Sequence, residues 1–261
     1  MADAQIVGLY RYPVKGFSPE PLRTAEILAG GTMPFDRAFA IENGPSGFDP
    51  AAPAYFPKAR FLMLMKNERM AEFSTRFEDA TGMLRIFRDG ALQAEGSLDT
   101  SAGRATIEAW LSKNFSAELR GPPRILSAPG HSFSDKKAKV LHLINLASVR
   151  ALEEQLDRPV DPLRFRPNIV IDNVPAWSEF GWRARIGFPK LQCKVESRTT
   201  RCAATNVDPQ SGRRDMAIPQ ALDALYGHAD FGIYLVAGGP GALAIGDALG
   251  LPPAGDCEEN V

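Results

Sequence analysis

The chain has 261 residues, 44% of them hydrophobic and 23% charged, with a formal net charge of -1, an ordinary globular composition long enough for one large domain or two smaller ones. That charge balance leaves no electrostatic footprint for nucleic acid or for an anionic membrane surface. The three cysteines, Cys193, Cys202 and Cys257, fit neither a disulfide framework nor the paired spacing of a zinc site and point to a reducing compartment.

In chain order, Met1-Ala2-Asp3-Ala4-Gln5 lacks the basic-then-apolar pattern of a signal peptide. No apolar run approaches the roughly 18 residues that span a bilayer, so a cytoplasmic protein without a membrane span is expected. Aromatic and branched residues from Ile6 to Tyr12 stop at Pro13 and Gly16, which predicts a strand feeding a loop that carries Lys15. A second strand is expected from Arg37 to Glu42. Residues 43–57, rich in glycine, proline and alanine without periodicity, read as a surface loop. Further sheet is expected at residues 61–65 and 83–88, followed by the turn Asp89-Gly90. Over residues 100–119 the spacing of Ile107, Trp110, Leu111 and Phe115 predicts a helix, which Pro122-Pro123 breaks.

Val140-Leu141-His142-Leu143-Ile144 then reads as a buried strand. Asn145 is placed to cap a helix through Leu156, which Asp157-Arg158-Pro159 ends. Residues 164–172 form a basic stretch running into a strand, so Arg164, Arg166 and Asn168 lie at the strand entrance. More strands are expected at residues 182–186, 191–196, 233–237 and 243–245. Gly238-Gly239-Pro240-Gly241 reads as a turn between strands, and no Gly-rich loop feeds a helix as in a nucleotide phosphate site.

Within residues 199–212, Cys202 stands beside Arg201 and just ahead of a polar turn. A neighbouring guanidinium stabilises a thiolate, so Cys202 suits the role of ligand or nucleophile, against the plainer role of a half-buried residue at a strand end. Lys15, Arg37, Arg164, Arg166, Asn168 and Arg201 also fall at strand edges. Four motifs occur in order: Tyr12-Pro13-Val14-Lys15, Asp36-Arg37, Phe165-Arg166-Pro167-Asn168-Ile169-Val170, and Arg201-Cys202 followed by Val207-Asp208-Pro209 and Gly212. Together with Phe231-Gly232-Ile233-Tyr234 and Ile245-Gly246-Asp247 they resemble the MOSC family.

The resemblance runs from about Ile6 to Leu249 and implies a mixed α/β, β-rich fold. A β-barrel-like N-terminal domain with a helical end is expected over residues 1–120, a MOSC β-barrel over 121–261, and a few peripheral helices around them. It further implies a molybdenum cofactor oxidoreductase similar to the mitochondrial amidoxime-reducing component and its bacterial homologues, which reduces N-hydroxylated compounds by oxygen-atom removal. In that group a MOSC cysteine ligates molybdenum, a role that maps onto Cys202; soft sulfur suits such a metal. The pterin phosphate, with about two negative charges, favours guanidinium forks. The resemblance assigns Lys15, Arg37, Arg166 and Asn168 to the cofactor, with Thr200 or the loop around it completing the pocket and Arg201 either joining them or tuning Cys202. Where the family often has serine after the lysine, this chain has Gly16, whose backbone amide is left to cradle phosphate. Asp208 is a candidate proton relay, or equally a turn residue.

The cysteines are too few for an iron–sulfur cluster and no Rossmann fingerprint occurs, so electrons for the small-molecule substrate are expected from a separate reductase, a ferredoxin or flavoprotein. The rival expectation is a sulfur or molybdenum cofactor carrier serving another molybdoenzyme, with Cys202 presenting sulfur. Asp135-Lys136-Lys137-Ala138-Lys139 and residues 43–78 depart from the family pattern and put substrate access and identity in question. His142 reads as a satisfied core or boundary histidine, Cys193 as packing, and Cys257, in an acidic tail, as exposed.

Overall fold

Alternating burial marks Gln5–Arg11 as a strand (β1) in the computed structural model, which describes residues 4–183 and 185–250; Cys257 lies outside the described residues. Glu20–Leu22 (β2), Thr24–Ile27 (β3) and Ala40–Glu42 (β4) follow. Ser74–Glu78 (β5), Met83–Arg88 (β6) and Ala91–Ser97 (β7) form a three-stranded meander. Its tight turn uses Asp89 and Gly90, both at positive φ, the conformation that matches the twist of a hairpin. Thr100 caps Ser101–Asn114 (α1) by accepting from the Gly103 amide, and Ile107 and Leu111 supply its buried face.

Arg124–Leu126 (β8) pairs with β4. Leu141–Asn145 (β9) is buried along its whole length, and Asn145 caps Leu146–Leu156 (α2), which ends at left-handed Asp157. Ile169–Asp172 (β10) lies parallel to β9, with α2 as the crossover that parallel neighbours require. Arg185–Phe188 (β11), Leu191–Thr200 (β12), the helix Ile218–Tyr226 (α3), Asp230–Ala237 (β13) and Gly241–Ala244 (β14) complete the fold.

Seven strands form one sheet in the order β11-β12-β13-β9-β10-β1-β2, and β14 pairs with β3. The segment after β14 ties the two ends of that sheet together, through bridges from Ala248 to Gln5 near one end and from Gly250 to Gly187 at the other. One side of the sheet closes over Ile6, Leu9, Leu143, Ile171, Ile186 and Leu235. On the other, α2 and α3 cover Ile144, Val170, Phe165 and Phe231. A separate core built on Phe39, Phe73, Phe77, Leu84 and Leu111 holds the meander and α1, and it reaches Val207 in the second half. β1 and β2 therefore share a sheet with strands from beyond residue 140, and β4 with β8 joins residues 40–42 to 124–126.

Two expectations are corrected here. Residues 61–65 are not sheet: Phe61 makes a single bridge to Glu42, and the Asn67 side chain then pins a turn by accepting from the Met63 amide. Arg37 is no strand residue either, because it sits at φ 52° in the turn ahead of β4. The helix α3 was not expected at all.

Candidate active site

The ends of β1, β9, β10, β12 and β13 surround a cavity of about 810 Å³ including its open mouth, and Lys15, Gly16, Arg37, Arg166, Asn168, Arg201 and Cys202 all line it. Each arrives from a constrained loop. The loop after β1 is held by a parallel bridge from Val14 to Phe39, and the Lys15 amide donates to the Phe39 carbonyl at 2.8 Å. Gly16 stands at φ +91°, where a Cβ would approach the Met70 thioether to 2.7 Å, so the serine common in the family would be strained here. Arg37 and Arg166 both adopt left-handed backbone conformations, which turn their side chains out of regular structure toward the cavity.

Behind these cations lies a buried polar wall. Asp36 Oδ1 accepts from the Tyr12 amide at 2.9 Å, from Arg37 Nη1 at 2.7 Å and from Asn168 Nδ2 at 3.1 Å. Asn168 also donates to the Tyr10 carbonyl and accepts from the His142 amide, so it locks β1, β9 and β10 together beneath the cavity. The Tyr12 ring, fully buried, carries the Arg37 guanidinium at 4.4 Å and that of Arg166 at 4.1 Å. Its quadrupole offsets part of their mutual repulsion.

The guanidiniums are unequally compensated. Burial pulls Arg37 down, but its Asp36 partner more than offsets that and leaves it above an ordinary arginine. Arg166 donates to the Phe17 carbonyl at 2.9 Å and has no carboxylate partner among the described residues; burial pushes it down to about 10. Burial also lowers Arg201, which donates to the Phe165 carbonyl at 2.7 Å while its buried Nε has no partner. His142, at 3.4 Å from both Arg201 Nη1 and the Arg166 carbonyl, is driven well below its ordinary value by burial and by the Arg201 charge. Its Nδ1 faces the Arg166 carbonyl, and its Nε2 faces both Arg201 Nη1 and the Phe231 carbonyl, each at 3.4 Å.

At the sulfur side, Cys202 is a free, half-buried cysteine just past β12, with Lys58 Nζ at 3.4 Å from its Sγ. Lys58 also reaches Asp135 at 3.2 Å, and Asp135 bonds Lys15. Burial works against the Lys58 charge, yet Asp135 and the Cys202 sulfur outweigh it and raise its pKa. Burial wins at Lys15, whose pKa is lowered. Burial favours the neutral Asp135 acid, but Lys15 and Lys58 hold this carboxyl far below the usual carboxylate range.

That depression fixes a pH dependence. A carboxylate with a lowered folded-state pKa contributes stability in full above its unfolded pKa of about 4, and the contribution is lost as pH falls below that value. Asp135→Asn is expected to be about 1–2 kcal/mol less stable than wild type at pH 7, the half-open side chain keeping the effect below that of an enclosed pair. In urea unfolding the difference should shrink steadily from about pH 4 downward.

Two of the residues expected at the site stand elsewhere. The Thr200 hydroxyl faces solvent and donates to Asp230 at 2.6 Å. Asp208 pairs with Arg164 at 3.1 Å and accepts from the Gln210 and Ser211 amides, which is turn and ion-pair work. Asp208→Asn is accordingly expected to lower stability by about 1–2 kcal/mol in urea unfolding, because Arg164 is buried. Lys58, Asp135, His142 and Tyr234 line the cavity without having been assigned to it. Cys193 is buried in β12, its thiol pushed up to about 12 by burial, in keeping with a packing role.

Residues 129–250 match the family described as the MOSC domain, and residues 3–120 match the MOSC N-terminal beta barrel domain. A molybdenum cofactor sulfurase from Drosophila melanogaster is 34% identical over 140 residues, 49% of this chain and 17% of that protein. The mitochondrial amidoxime-reducing component 1 from Mus musculus is 31% identical over 119 residues, 41% of this chain and 35% of its own. These matches thus span well under half the length of either relative. Among solved structures, the YUAD protein from Bacillus subtilis aligns over 95% of this chain and 94% of its own at 13% identity, with a TM-score of 0.44. No helix among the described residues is long and apolar enough to cross a membrane.

Proposed function

The chain belongs to the MOSC family, and from that premise we propose that it is a molybdenum cofactor oxidoreductase that removes oxygen from N-hydroxylated compounds. The observation that carries the proposal is the pair of half-buried guanidiniums, Arg166 and Arg201, that face the cavity with no carboxylate partner among the described residues, one with a buried, orphaned Nε. Cations partly withdrawn from water without a counter-ion are costly until an anion joins them, and a phosphate dianion has the charge and oxygen geometry that two guanidinium forks accept.

The donor set also fits the metal end of the cofactor. Cys202 offers one soft sulfur into the cavity, with the Lys58 ammonium 3.4 Å from it. The cofactor, which Cys202 would hold through its sulfur, would supply a two-electron centre able to take oxygen from the substrate. Arg37 and Lys15 extend the cationic wall, while Asp36, Asn168 and Tyr12 keep its members in place. Met63 and Leu64 give the cavity an apolar side that excludes water from the reacting group. Each oxygen removed as water takes two electrons and two protons, and the electrons are assigned to a separate reductase.

The same sulfur favours a second reading. A thiolate next to an ammonium is suited to carrying a persulfide, and a matched relative is named as a sulfurase. The deciding experiment is the molybdenum and pterin content of protein from a cofactor-producing host, followed by reduction of an amidoxime with a chemical electron donor. About one molybdenum per chain with turnover supports the oxidoreductase; neither, with a persulfide on Cys202, supports the carrier.

A further inference from the structure

Six cationic side chains line the cavity, Lys15, Arg37, Lys58, Lys136, Arg166 and Arg201, against two carboxylates, Asp36 and Asp135, in a chain whose formal net charge is -1. The excess is therefore a property of the cavity and not of the protein. A phosphate dianion and a Cys202 thiolate would neutralise most of it. What remains can be located. Asp36 is engaged by Arg37, and Asp135 by Lys15 and Lys58, whereas the Lys136 ammonium has no ion pair among the described residues and sits 5.4 Å from the Tyr234 ring.

Lys136 is also fixed in place. Its backbone is turned by Ser134, whose hydroxyl donates to the Lys136 carbonyl at 2.7 Å and accepts from its amide at 3.3 Å. The exposed Lys137 and Lys139 follow on the same loop. This arrangement draws anions toward the mouth and leaves one cation free within it.

Resting on the oxidoreductase reading above, we propose that the open end of the site selects substrates carrying a negative charge, a carboxylate on the N-hydroxylated compound, and that Lys136 is the specificity-determining residue that receives it. One charge-assisted hydrogen bond in a partly enclosed site is worth about tenfold in affinity.

The test is calorimetric binding of benzamidoxime and its para-carboxylated analogue to the protein as isolated, at low ionic strength, with turnover of both compounds followed in parallel. The carboxylated compound should bind about tenfold more tightly, with the preference weakened by salt. Lys136→Gln should bring the two affinities together without changing that of the neutral compound, and Lys137→Gln should preserve the preference. Equal affinities in the wild type, or a preference that survives in Lys136→Gln, overturn the proposal. Failure of turnover with the binding preference intact counts against the oxidoreductase reading alone.

Discussion

Cys202→Ala is expected to lower reduction of an N-hydroxylated substrate by more than about 100-fold and to strip the metal, while the fold persists. Loss of a residue that merely orients a metal ligand commonly lowers affinity or activity by about 10–100-fold, and loss of the ligand itself should exceed that range. The fold should survive for local reasons. The Cys202 carbonyl, not its side chain, anchors the next turn, accepting from the Thr205 amide and hydroxyl at 3.0 Å each. The thiol is only half buried, so its removal opens little cavity, and Lys58 keeps Asp135 as a partner. Elemental analysis, turnover and a urea transition on the same preparation separate the outcomes. Wild-type metal content and rate in the alanine variant would remove Cys202 from the ligand role, and Cys193→Ala, which alters a buried packing residue remote from the cavity lining, should leave the metal in place.

The residues that were legible in advance share one property: they stand in loops at strand ends, next to prolines, glycines or each other. Singly each of Lys15, Arg37, Arg166 and Arg201 reads as a surface charge; the resemblance of their ordered motifs to the MOSC family is what places them together, and the structure brings all of them to one cavity. Thr200 ends β12 with its hydroxyl on Asp230, and Cys202 lies past the end of that strand. Alternation puts positions two apart on one face only while the strand continues, so nearness to Cys202 in sequence does not bring Thr200 into the cavity. Lys58 directly follows a stretch without periodicity, where nothing local says which way a side chain turns. Its pairing with Cys202 joins positions far apart in the chain. His142 and Tyr234 were read correctly as strand residues, but alternation reports burial and is silent on whether the buried side faces apolar core or a polar cavity. The helix α3 did carry a signal, with Ile218 and Leu222 four residues apart, Pro219 in its first turn and left-handed Gly227 at its end; its nine residues are too few to stand out among neighbouring strands.

Arg166→Met should weaken retention of the cofactor by about 100-fold or more and at the same time leave the cofactor-free protein at least as stable as wild type. The two signs have one origin. In the empty cavity the Arg166 charge is desolvated, has one backbone acceptor and stands beside a second guanidinium over the same tyrosine ring, so replacing it with an apolar side chain of similar length relieves a burial penalty. The Phe17 carbonyl loses a hydrogen bond worth about 1 kcal/mol, which limits the gain. With phosphate bound, the same guanidinium makes charge-assisted hydrogen bonds of about 1.5–3 kcal/mol each, and two of them account for the 100-fold loss. The backbone conformation at residue 166 is set by the turn that follows residues 162–165, where its amide donates to the Leu163 carbonyl, and the substitution leaves that turn intact. Pterin content after gel filtration reads the first effect, and urea unfolding of the cofactor-free protein reads the second. A variant that keeps its pterin, or whose empty form is several kcal/mol less stable than wild type, would show Arg166 to be a structural cation rather than one held ready for an anion.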